Sequence, residues 1–164
     1  MILSSMLITN ALTIFILEAQ LPPIVPIPGI KLGLANVVTL FAVYLLGSKE
    51  AIKIHILRIV LGSIFTGQTV SFLYSLSGGV LGLLVMLACS RVFSRDFIWL
   101  AGVFAAVAHI FGQLAVAIPI LGTVSVLYYA PIVLLSSIIT GFFTGLCVQL
   151  LLKKHGKTFQ HMLK

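Results

Sequence analysis

The chain has 164 residues, of which 60% are apolar and only 8% charged, with a mean hydropathy of +1.24. A water-soluble domain of this size covers itself with polar side chains, and here there are too few to do so. The net charge of +7 does not point to nucleic acid, because the basic residues punctuate long apolar runs and act there as topology signals. The length allows one membrane domain, taken as residues 1–152, followed by a basic tail at 153–164.

A helix that crosses hydrocarbon needs about 17–25 apolar residues. Taken in chain order, the apolar segments predict about six transmembrane helices in one compact all-α bundle. The first is Ile2 to Leu17. It lacks a basic start and a small-residue cleavage site, so it reads as a helix that stays rather than a secretory signal. Pro22, Pro23, Pro26, Pro28 and Gly29 then hold the chain extended. Leu32 to Leu46 is a short second segment, closed by Gly47 and Ser48. Residues 51–90 are too long for one span, and the polar stretch Thr66 to Ser71 divides them into a third and a fourth. Phe97 to Ile118 is the fifth, ended by Pro119 and Gly122, and Val126 to Leu152 is the sixth. Eight of the ten basic residues fall in the loops after segments two, four and six, which predicts that both termini face the cytoplasm and that Lys31 faces outward. The chain is thus expected in a cell membrane, crossing it several times.

Fourteen glycines lie mostly in or beside these segments. Gly141 and Gly145 form a GxxxG spacing, which lets helices approach closely in lipid, either inside the bundle or against another subunit. Cys89 and Cys147 sit in apolar runs and read as small hydrophobes, without the spacing of a disulfide framework or zinc site. His155 and His161 belong to the basic tail, where contact with anionic lipid heads is the simplest role. His55 lies near the inner end of its segment and carries no clear signal.

Polar residues at membrane depth are expensive, roughly 2.5–3.5 kcal/mol for a charge at the helix centre on insertion scales, so they face an interior or a cavity. Arg58 is near mid-depth in segment three, and His109 in segment five, with Gln113 one turn later on the same face. Glu18, Lys31, Asn36 and Gln68 lie toward the outer end. Together they predict an outward-facing polar cavity. A structural alternative is that they satisfy one another, with Glu18 and Lys31 as an ion pair. Arg58, Lys31 and His109 in one cavity would suit a polar or anionic group.

No GxxxxGK[ST] is present, so the chain does not bind ATP through a P-loop, and CxxCH and HExxH are absent as well. Glu18, Glu50 and Asp96 are the only acids and are widely spaced, too few to hold the Mg²⁺ that diphosphate chemistry requires. No catalytic residue, metal site or cofactor is expected.

The stretch from Leu17 to Pro22 and the run Pro26-Ile-Pro28-Gly29-Ile-Lys31-Leu-Gly33-Leu-Ala-Asn36 resemble the Gx transporter family, often described as heptaprenyl diphosphate synthase component I. Arg58-Ile-Val-Leu-Gly62, Ser77-Gly78-Gly79 and His109-Ile-Phe-Gly112-Gln113 are similar to its later motifs. That family in turn resembles the substrate-binding S components of energy-coupling factor transporters. The resemblance implies capture of a small molecule from outside and a separate module of ATPases and a transmembrane coupling protein. S components dock through small residues on their first helix, which Ser4, Ser5, Thr9 and Ala11 match in part. On this reading Glu18, Lys31, Asn36, Arg58, His109 and Gln113 bind the ligand. Two other functions stay open. One is a membrane component of flavin- or quinone-linked extracellular electron transfer, with Phe111, Tyr128 and Tyr129 packing on a ring. The other is a non-catalytic accessory subunit of a heptaprenyl diphosphate synthase.

Overall fold

The computed structural model describes residues 2–20, 31, 33–67 and 69–161. The proline-rich stretch at 21–30 and Gln68 lie outside the described residues. The described chain forms six α-helices: α1 Ile2–Gln20, α2 Asn36–Leu45, α3 Ser48–Thr66, α4 Thr69–Val92, α5 Ile98–Leu121 and α6 Ala130–His161. Short 3-10 turns at Arg95–Phe97 and Val124–Tyr129 lead into α5 and α6.

The long run at 51–90 is indeed two helices, and the break between them is tighter than its polar composition suggests. Gly67 takes a left-handed φ of 64°, donates its N–H to Ser63 O and so closes α3, and α4 begins at Thr69. Several boundaries differ from the sequence reading, among them the start of α2 at Asn36 and the ends of α5 and α6. α5 runs through Pro119 to Leu121 and stops at Gly122, because a proline in the last turn removes only one backbone donor. α6 continues to His161, so the basic stretch after Leu152 extends the helix.

Among the described residues, four segments are long and apolar enough to cross a membrane: Leu3–Gln20, Thr69–Val92, Arg95–Leu121 and Val124–Gly156. Their outward faces carry large apolar side chains, such as Leu76 and Leu84 on α4, Phe104 and Phe111 on α5, and Leu135 and Phe143 on α6. That surface is stable against acyl chains and not against water. α3 has the same exposed face at Val60, Ile64 and Phe65 but carries Lys49, Glu50, Lys53 and Arg58.

α2 has only ten residues, about 15 Å of helix, which is half the hydrocarbon thickness. Seven of those residues are buried, and α2 packs against α1, α3, α4 and α6. A short helix fully wrapped by others loses nothing by failing to span.

Glycines set the distances on the other side of the bundle. A Cβ on Gly112 of α5 would lie 2.6 Å from Ser77 O of α4, and one on Gly145 of α6 would lie 2.7 Å from Trp99 Cα of α5. Gly141 and Gly145 therefore face Gly102 and Trp99 inside the bundle, which resolves the GxxxG spacing as internal packing.

Candidate functional site

The chain between α1 and α2 enters the bundle at Lys31 and turns into α2 through Gly33, whose φ of 77° favours glycine. Two hydrogen bonds hold this entry. Lys31 N donates to Gln113 Oε1 at 3.3 Å, and Gly33 N donates to Glu18 Oε1. They tie the segment to α5 on one side and to α1 on the other. A side chain at position 33 would also press into the Asn36 amide and the His109 ring.

From there a continuous polar chain runs through the interior. Gln113 Nε2 lies 2.9 Å from His109 Nε2, and His109 Nδ1 lies 3.3 Å from Asn36 Nδ2. Asn36 Oδ1 accepts from Arg58 Nη2 at 3.2 Å, which turns the Asn36 amide nitrogen toward His109. Arg58 Nη2 is also 3.3 Å from His55 Nδ1, and Thr39 Oγ1 is 3.2 Å from the same nitrogen. All six residues expected to form the site are buried, Gln113 completely and Arg58 to within 2%. They come from α1, α2, α3, α5 and the entry segment, and the structure gathers them into one cluster.

The ion pair between Glu18 and Lys31 that the structural alternative would require is not formed. Among the described residues, the side-chain ion pairs are Lys53 with Glu50 and Lys153 with Asp96. Glu18 is committed to the Gly33 backbone instead. The Lys31 ammonium rests on the Phe15 ring, 3.7 Å from its centroid, and the Arg58 guanidinium lies 5.8 Å from the same centroid. Lys31 Nζ and Arg58 Nε are buried without a hydrogen-bond partner. Lys31 lies outside the helices, and burial pushes its ammonium down to about 8, with the Glu18 charge opposing the shift and the Arg58 charge adding to it.

Sequence reasoning missed three residues here. His55 was placed near the inner surface, yet it is buried 3.3 Å from Arg58. Its signal was the three-residue spacing that puts it on the Arg58 face of α3. Thr39 lies one turn of α2 beyond Asn36 and has no sequence signal of its own. Phe15 was hidden in an apolar run. The glycines of α4 make space for both imidazoles, since a Cβ on Gly79 would lie 2.6 Å from His55 Nε2 and one on Gly78 would lie 3.1 Å from His109 Cε1.

Two cavities adjoin or flank this cluster. One, of about 10 Å³, is large enough for a water molecule and is lined in part by Gly33, Asn36, Thr140 and Thr144. A larger groove of about 290 Å³ lies between α1, α2 and α6, lined by apolar side chains and Asn10, and none of the six expected site residues reaches it. Phe111, Tyr128 and Tyr129 are exposed on the bundle surface and line neither cavity. Among the described residues, no three His, Cys, Asp or Glu side chains come together as a metal site.

The family described as heptaprenyl diphosphate synthase component I matches residues 7–151. The chain belongs to that family. The match takes in most of all six helices, including the whole polar cluster. No curated protein and no solved structure matches the chain.

Proposed function

We propose that this family member is a membrane-embedded binding subunit, resembling an energy-coupling factor S component, that captures a small molecule with a polar or anionic group. The observation that carries this reading is a buried cluster with two cations, one carboxylate and no ion pair between them. A purely structural cluster would gain by pairing or discarding those charges, because an uncompensated buried cation is strongly destabilising. Charges kept in that state are better explained by a partner that arrives later.

On the charge pattern of the loops, the Lys31 entry segment faces the exterior and the ligand comes from that side. Among the described residues the cluster is tied off by the bonds from Lys31 N to Gln113 and from Gly33 N to Glu18, and admission of a ligand would break one of them. Lys31, Arg58 and His109 hold the ligand's polar group, and Glu18, Asn36 and Gln113 orient them. Transport would then depend on a separate ATPase and coupling module.

The family description supports a second reading, an accessory subunit of a prenyl diphosphate synthase. With one carboxylate in the cluster, such a role would be non-catalytic. Native mass spectrometry of the full chain from nanodiscs tests both at once. A small molecule that co-purifies with wild type and is absent from Arg58→Ala supports ligand capture. A synthase subunit as the sole adduct, retained by Arg58→Ala, supports the second reading and contradicts the first.

A further inference from the structure

Resting on the ligand-capture reading, we propose that the cluster takes one monoanionic oxygen-bearing group, a carboxylate or a phosphodiester, held by Lys31 Nζ and Arg58 Nε beside Phe15. The first argument is charge. Glu18 is the only carboxylate in the cluster, against Lys31 and Arg58, and with His55 and His109 counted as neutral the buried set carries one excess positive charge. One negative charge balances it. A dianion would leave the interior net negative in a medium that penalises uncompensated charge.

The second argument is geometry. Lys31 Nζ and Arg58 Nε are buried donors with no acceptor. Glu18 does not supply one, because it forms no ion pair with either cation and its Oε1 takes the Gly33 N–H. The Asn36 oxygen does not supply one to Nε, because it faces Arg58 Nη2. What both cations touch is the Phe15 ring. Gly62, four residues after Arg58 on α3, lets that ring sit there, since a Cβ at position 62 would lie 2.5 Å from Phe15 Cδ1. A ring face attracts a desolvated cation by less than burial of the ion costs. An oxyanion gives both donors the charge-assisted bonds the ring cannot. Phe15 is therefore a resting place for the cations, and the ligand's anionic oxygen is their partner.

The test is thermal unfolding of the purified full chain in a neutral detergent, with sodium acetate or inorganic phosphate compared with sodium chloride at equal ionic strength. Mildly acidic buffer keeps phosphate mainly monoanionic. The expected result is a saturable, anion-specific rise in Tm of about 2–4 °C in wild type. The rise should be absent in Lys31→Gln and Arg58→Gln and partly restored in Arg58→Lys, which keeps the charge. An equal rise in wild type and both glutamine variants overturns the proposal. A parallel comparison of phosphatidylglycerol with phosphatidylcholine nanodiscs separates the sources. Stabilisation by phosphatidylglycerol without an effect of free acetate or phosphate assigns a lipid head group, and stabilisation by the free anions assigns a soluble ligand. No anion-specific rise in either setting overturns the proposal. The ligand-capture reading fails separately, since a neutral molecule found by mass spectrometry in wild type and lost in Arg58→Ala would preserve it while refuting the oxyanion.

Discussion

The seam joining α4, α5 and α6 and the cluster where α1, α2, α3 and α5 meet solve opposite problems. In the seam, glycines bring backbones together until no side chain fits between them, as at Gly112 against Ser77 and Gly145 against Trp99. Its main interhelical side-chain hydrogen bond is Ser77 Oγ donating to Gly112 O at 2.9 Å. In the cluster, side chains that lipid disfavours are gathered, and Lys31 Nζ, Arg58 Nε and His55 Nε2 remain without a hydrogen-bond partner. Lipid offers no hydrophobic drive to hold helices together, so close packing must do it. The seam is where this chain gains stability, and the cluster is where it gives some up.

The largest expected effect comes from opening the seam. Gly102→Val forces a branched side chain into the α6 backbone at Gly141 and Gly145. Overpacking of this kind costs about 1–3 kcal/mol or more, and the variant should fail to accumulate or should unfold well below wild type in a thermal scan. Gly47→Ala provides the contrast. Nothing lies within 4 Å of its added carbon, so only the backbone is strained, with φ at 88° and ψ at 177° in a region nearly reserved for glycine, and the loss should be on the order of 1–3 kcal/mol without any packing clash.

The next effect falls on the cluster and has a different character. Arg58→Ala should remain folded and membrane-inserted while losing tenfold or more in affinity for whatever co-purifies with wild type. Unchanged affinity would return Arg58 to a structural role.

Titration of Lys31 sharpens the same contrast. Its ammonium is held at about 8 by burial, below the ordinary lysine value of 10.5. Between those two values the unfolded chain keeps a proton that the folded chain has lost, so this group makes the ligand-free protein more stable as pH rises through the window. Anion-dependent stabilisation should move the other way and fade above about pH 8, as the charge facing Glu18 and Arg58 disappears. Unfolding curves measured with and without acetate across this range would show the two trends crossing. The smallest effect is Ser77→Ala, which removes one seam hydrogen bond and should cost about 0.6 kcal/mol in a thermal scan, the average for such bonds in membranes.

Much of the bundle was legible because hydrocarbon leaves only helices as spanning structures, so apolar length and breakers nearly write the element list. The split at Gly67 and the inward placement of Arg58, His109 and Gln113 followed from that constraint alone. Contacts between helices were less legible. A GxxxG spacing announces a close approach without naming the partner, and only the fold identifies Gly102 and Trp99. His55 was misjudged because depth was counted along the chain rather than around the helix, where it shares a face with Arg58. Phe15 was invisible for another reason. In an apolar run nothing distinguishes a ring that meets lipid from a ring that meets two cations.

The central claim is that the cluster holds charge for a partner rather than for the fold, and Lys31→Met tests it most directly. Equilibrium unfolding of the ligand-free variant should show stability equal to wild type or higher, by about 1 kcal/mol or more, because an unpartnered buried cation has been replaced by an apolar chain of similar reach. A clear loss of stability would mean that the ammonium already supports the folded state, and the account would be contradicted.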